Sequence, residues 1–247
     1  MNVLHNRLGA LGEGALAAGN RARLFGQVKE ACQTHVGVTE GTFYRGQGWY
    51  FCRMGRYIER ADQTTRLLDI KYHLLLPEAA DVGSPLDVSQ WNALLRSAAG
   101  YQAFRRLHPE GITPARVAAF LLLDPRFPRS VALCVREAGV LLGELRSRHG
   151  LRGGTGAAEE LDRLRALLGA LPIAEILRKG LHDFLDLLQR RLIAVTDDLA
   201  GTFFGHRAQS QTQSQSGPSG SQSQSQSNSE TPMEWWPPLA PLPPMQP

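Results

Sequence analysis

Gly46–Pro77 reads GQGWYFCRMGRYIERADQTTRLLDIKYHLLLP, and this stretch decides the fold. Phe51, Met54, Ile58, Ala61, Thr65, Leu68, Tyr72 and Leu75 recur at alternating steps of three and four. That spacing puts them on one line along an α-helix, a seam that must be buried against other helices. The helix is expected from about Gln47 to Leu76, where Pro77 ends it. One residue further on, Cys52, Gly55, Glu59, Asp62, Arg66, Asp69 and His73 repeat the same steps. This second stripe lies about 100° around the helix and is expected to border the core. A glycine within it suggests a second helix approaching closely at Gly55. Partly buried charges there must pair to be tolerated.

Outward from this helix, the same periodicity recurs between glycine and proline breaks. Helices are expected over 21–42, 87–108, 114–123, 129–148, 157–168 and 172–203, with few alternating β-branched runs between them. Asp87 or Ser89 is the expected cap of the helix through Trp91 and Phe104. Thr113-Pro114 is an N-cap followed by proline at the first helical turn, and Thr155 is a candidate cap after the glycine cluster 150–156. Pro172 opens the last helix. The fold class is therefore all-α, a bundle of about six to seven helices with a disordered C-terminal tail. Residues 1–20, with Gly9, Gly12, Gly14 and Gly19, form a poorly defined start.

The chain divides further by composition. Residues 21–207 form the helical domain, 208–231 a Ser/Gln-rich linker and 232–247 a Trp/Pro-rich tail. Ser and Gln fill 16 of the 21 positions from Gln209 to Ser229, with no apolar side chain to offset ordering. The end, PMEWWPPLAPLPPMQP, favours polyproline II, and Trp235-Trp236 on this tether is either a docking peptide or an unselected end. The whole chain has 247 residues and a formal charge of +4. Its tail contains Glu230 and Glu234 and no base, so residues 1–207 hold 27 bases against 21 acids.

Only Lys29, Lys71 and Lys179 are lysines, against 24 arginines, and the bases are interleaved with acids on every helix. Nucleic acid is not the expected partner of so diffuse a pattern. No run of about 18 apolar residues marks a membrane span, and no signal-peptide core follows Met1. Cys32, Cys52 and Cys134 are too few and too separated for a disulfide framework or a zinc cluster. A cytoplasmic, reducing location is expected. GGTG at Gly153–Gly156 lacks the lysine and the preceding strand of a phosphate loop, and no nucleophile-elbow motif occurs. No cofactor or resident metal is expected.

The candidate polar site is Glu59, Arg60, Asp62, Arg66, Asp69 and His73. Three readings stay open for it. Asp69 and His73, one turn apart, can share a metal, with Glu59 and Asp62 adding oxygens and Leu181-His182-Asp183 the nearest outside donor. Alternatively the acids move protons while the arginines hold an anion. The plainest reading is an ion-pair ladder from Glu59, Asp62 and Asp69 to Arg66. A second candidate patch is Arg126, Arg129 and Ser130 in DPRFPRS (124–130), suited to an anion or simply a capped, proline-fixed bend.

The run Trp49-Tyr50-Phe51, Gly55-Arg56-Tyr57-Ile58-Glu59-Arg60-Ala61-Asp62, Arg66-Leu67-Leu68-Asp69 and Lys71-Tyr72-His73 resembles the Alpha-E family of bacterial helical domains with a Glu-Arg pair. A second block, Tyr101–Arg106 followed by Thr113-Pro114, Phe120–Pro125 and Phe127–Ser130, is similar to it as well. The resemblance covers about Leu24 to Gly205 and carries over Glu59 and Arg60, and after them Asp62, Arg66 and Asp69. It implies a partner of ATP-grasp-type ligases and transglutaminase-like proteases, in peptide or amide-bond synthesis or modification. It assigns no reaction to the helical domain. The family's earlier motif helix has no counterpart here, so the N-terminal part of the domain is expected to be lacking. The alternative is an enzyme using Glu59, Asp62 and Asp69 as acid/base groups or metal ligands, or a truncated, inactive relative.

Overall fold

The computed structural model describes residues 2–12, 16–74 and 84–205. The linker and tail lie outside the described residues, as does the predicted stop at Pro77. Among the described residues there are ten helices and no strand, so the all-α expectation holds with more helices than expected. The chain forms two compact units, residues 1–54 and 55–247.

In the first unit, α1 (Asn2–Gly9) occupies part of the stretch expected to be poorly defined, and α2 (Ala18–Thr42) follows. α2 buries little: Phe25 and Val38 are exposed. It ends where Phe43 turns extended, and the Phe43 N–H closes on the Thr39 carbonyl at 3.0 Å. Arg45 then stacks over Trp49 at 4.5 Å in the first turn of α3 (Gln47–Leu74).

The second unit holds most of α3 together with α4 (Pro85–Ser97), α5 (Tyr101–Leu107), α6 (Pro114–Leu123), α7 (Val131–Arg148), α8 (Thr155–Ala170), α9 (Ile173–Lys179) and α10 (Leu181–Phe204). α6 is apolar almost all round and sits at the centre, with Val117, Ala118, Phe120, Leu121 and Leu122 buried. α4, α7, α8 and α9 pack against it, and α10 packs its amphipathic face on α8 and α9. On α10 the buried line is Leu181, Phe184, Leu185, Leu188, Leu192, Val195 and Leu199. α8 and α10 run antiparallel, because Asp198 near the end of α10 meets the start of α8 while Arg191 meets Glu160 at 2.8 Å.

Several sequence expectations need correction. The helix expected from 87 to 108 is two. Ala99 adopts φ +54°, and the Ala99 and Gly100 N–H groups close on the carbonyls of Arg96 and Leu95 at 2.9 and 2.8 Å. This is a Schellman ending with alanine at its left-handed position. The last helix likewise divides at Gly180, whose φ is +117°. Ser84, not Asp87 or Ser89, caps α4 by accepting from the Asp87 N–H at 3.2 Å. Thr155 lies inside α8 and caps nothing; Asp198 reaches across to accept from the Ala157 N–H at 2.9 Å. Thr113 and Ser130 do cap α6 and α7, by accepting from the N–H groups of Arg116 and Leu133.

Candidate functional site

On α3 the seam behaves as its spacing requires: Met54, Ala61, Thr65 and Leu68 are buried. The second stripe does not border the core as expected. Cys52, Gly55, Glu59 and Arg66 are exposed, and only Asp62 and Asp69 are half-buried. Among the described residues nothing lies within 4 Å of where a Cβ on Gly55 would stand, so no helix approaches there. The reason lies in the neighbours: the chain covers α3 on the seam side, and 100° of rotation is enough to leave the stripe facing water.

Part of the expected ion-pair ladder forms. Arg66 Nε donates to Asp62 Oδ2 at 2.8 Å, which holds its guanidinium above the ordinary value, through that hydrogen bond first and the Asp62 charge second. Asp69 departs from the ladder. Its Oδ1 lies 2.8 Å from Nδ1 of His182 at the start of α10, tying two helices together. Glu59 is exposed and has no hydrogen-bond or ion-pair partner among the described residues. The side chain of His73 lies outside the described residues, so the Asp69/His73 metal reading has no geometry. Among the described residues no group of three His, Cys, Asp or Glu side chains is placed to hold a metal.

Glu59 and Arg60 are neighbours in sequence and therefore diverge around the helix. Arg60 is half-buried, 5.7 Å above the Tyr57 ring. Burial lowers the proton affinity of its guanidinium, and the charge of Arg129 lowers it further. Cys134 beside them is fully buried, and burial pushes its thiol up to about 11. The Glu-Arg pair thus serves two different faces.

The second candidate patch does not assemble as one surface. Ser130 is buried, donating its hydroxyl to the Asp124 carbonyl while it caps α7. Asp124 Oδ1 accepts from the N–H groups of Arg126 and Phe127 at 2.8 and 2.9 Å. These bonds hold the bend, leaving the Arg126 and Arg129 side chains exposed.

Sequence reasoning passed over a third polar group. Lys71 is buried, with Nζ 2.9 Å from Asp87 Oδ1, 2.6 Å from Gln90 Oε1 and 5.1 Å from the Trp91 ring. Asp87 is buried too. Lys71 is one of three lysines in an arginine-rich chain and stands in the Glu-Arg run, the two signals that the sequence offers for it. Two open grooves lie elsewhere. One of about 630 Å³ is lined by Arg146, Ser147, Leu151 and Arg152 among others; one of about 490 Å³ is lined by Glu160, Arg163, Arg190 and Arg191. Neither is lined by a residue of the α3 stripe.

Among the described residues no helix is long and apolar enough to cross a membrane. A family model, Alpha-E, described as a predicted alpha-helical domain with a conserved ER motif, matches residues 2–204. No curated protein and no solved structure matches the chain.

Proposed function

The chain belongs to the Alpha-E family, and on that premise we propose that it works as a substrate-holding partner of an ATP-grasp-type ligase. In this reading the bacterial, cytoplasmic protein presents its substrate, or docks the ligase, in peptide or amide-bond synthesis or modification. A transglutaminase-like protease is the other partner the family resemblance suggests. The proposed working surface is the strip of Glu59, Asp62, Arg66 and Asp69, with His73 the next residue of the stripe along α3 and Arg60 on the adjoining face.

The observation that carries this reading is the exposure of Glu59 without a partner, one turn from a mutually satisfied Asp62–Arg66 pair. A charged strip on an outer helix face gives register and specificity to a docked protein, whereas catalytic acids are usually desolvated in a cleft. Co-purification with an ATP-grasp-type ligase from the same cell tests the proposal. A stable complex weakened by Glu59→Arg supports it; no complex, and no change in ligase activity on adding the chain, overturns it.

The Asp69–His182 pair favours a second reading, that of an enzyme. A carboxylate on one ring nitrogen fixes the orientation of an imidazole, the device by which a histidine is aimed for proton transfer. The His182 side chain is 41% exposed, so a substrate can reach it. Glu59→Gln and His182→Gln in a reconstituted system, with metal analysis of the purified protein, separate the readings. Loss of turnover with His182→Gln in an intact complex favours the enzyme.

A further inference from the structure

The backbone of Arg129 is held beside the face of α3 that carries Arg60 by three separate constraints. Thr64 stands four residues after Arg60, on the same face of α3 and one turn along. Its hydroxyl donates to the carbonyl of Arg129 at 2.8 Å, which pins the Arg129 backbone next to that face. The bend from Asp124 to Ser130 is held by Asp124 on two N–H groups, by the buried Ser130 hydroxyl, and by the Cys134 thiol, which lies 3.7 Å from the Pro128 carbonyl. Pro125 and Pro128 restrict it further. Arg129 is therefore presented by a stiff segment.

Charge makes this arrangement unusual within the molecule. Arg116 and Arg191 are also partly buried, and each has an acid, Glu110 at 3.3 Å and Glu160 at 2.8 Å. Neither Arg60 nor Arg129 has an acidic partner among the described residues. Glu137, the acid facing Cys134, is engaged by Nε and Nη2 of Arg136 at 3.2 and 2.9 Å. Arg56, one turn before Arg60, adds a third positive charge to the neighbourhood. Holding like charges together, one half out of water, is unfavourable until an anion joins them.

We propose that Arg60 and Arg129 form a binding site for an oxyanion, a carboxylate or a phosphoryl group, clamped between α3 and the 124–130 bend. Two guanidinium groups approaching from separate elements offer paired N–H donors to such a group, with geometry a lysine pair does not supply. Burial first, and then the charge of Arg129, lower the proton affinity of the Arg60 guanidinium, a cost that a bound oxyanion would offset. The site shares Arg60 with the proposed working surface but is measured on the chain alone, so its failure and that of the partner reading are distinguishable.

The test is an NMR titration of the arginine Nε–Hε signals of the full chain. Sodium phosphate and sodium succinate are the two arms, each matched in ionic strength by sodium chloride. Saturable shifts of Arg60 and Arg129 are expected in at least one arm. Phosphate alone identifies a phosphoryl ligand, succinate alone a carboxylate, and either upholds the site. Arg129→Gln, at an exposed side chain, is expected to weaken binding by about tenfold or more, whereas the distant Arg165→Gln leaves it unchanged. Shifts that merely follow chloride, or unaltered binding by Arg129→Gln, overturn the proposal.

Discussion

Asp69 on α3 and His182 at the start of α10 are 113 residues apart in sequence and 2.8 Å apart in space. Both side chains are partly exposed, so water and salt screen the contact. A double-mutant cycle with Asp69→Asn and His182→Gln is expected to give a coupling of about 0.5–1 kcal/mol in unfolding free energy, smaller in high salt. Zero coupling at low salt would mean that the two helices are held by apolar packing alone.

Lys71 and Asp87 behave differently because neither reaches water. Removing one partner leaves a buried charge without its counter-ion, and Asp87→Ala is expected to destabilise the protein by about 3–5 kcal/mol. Replacing both, as Lys71→Met with Asp87→Leu, is expected to recover most of that loss, since apolar side chains of similar volume need no partner. Urea unfolding of the three variants checks the order. A double variant as unstable as the single one would show that Gln90 and Trp91 also depend on the Lys71 ammonium.

These two contacts show where sequence reading reaches and where it stops. The seam from Met54 to Leu68 is legible because its cause is local periodicity, and Thr113 and Ser130 are legible as caps because a cap acts on the next turn. Asp198 caps α8 from 41 residues away, and no pattern around Thr155 announces that. The exposure of the Glu59 stripe depends on which sides of α3 the rest of the chain covers. The closeness of Arg60 to Arg129 comes from a hydroxyl on Thr64 meeting a backbone carbonyl, a contact with no signature in residue spacing. Direction around one helix can be read from the chain; what stands opposite it is a tertiary fact.

Ala99 and Gly100 are adjacent, and substitutions at the two are expected to have opposite signs. Ala99 is exposed at φ +54°, where glycine meets no steric cost, so Ala99→Gly is expected to stabilise by about 0.5–1 kcal/mol. Gly100 is buried, and a Cβ there would stand 2.9 Å from Phe120 Cε1 and from Phe127 Cζ. Those rings stack with centroids 4.4 Å apart, and moving them disturbs the packing of Phe104 on Phe120 as well. Gly100→Ala is expected to destabilise by about 1–3 kcal/mol. Thermal unfolding of the two variants measures both signs.

Cys134 supplies the pH-dependent prediction. Burial raises its thiol from 9.0 to about 11, against the opposing pull of Arg60 and Arg129, with Glu137 adding slightly to the rise. In this window the folded protein keeps a proton that the unfolded chain gives up, so stability falls as pH rises. The contribution is fully present below about pH 9 and lost as pH rises through about 11. Its full size is on the order of 3 kcal/mol, two pH units at about 1.4 kcal/mol each, of which roughly 2 is lost by pH 11. Lysines and tyrosines titrate in the same range, so the measurement is a comparison of the unfolding free energy of the protein and Cys134→Ala from pH 8 to 11. The difference between them is expected to change by that loss, and a pH-independent difference would contradict it. Iodoacetamide at pH 8 gives a second readout: exposed Cys32 and Cys52 react in the native protein, and Cys134 reacts only after denaturant is added.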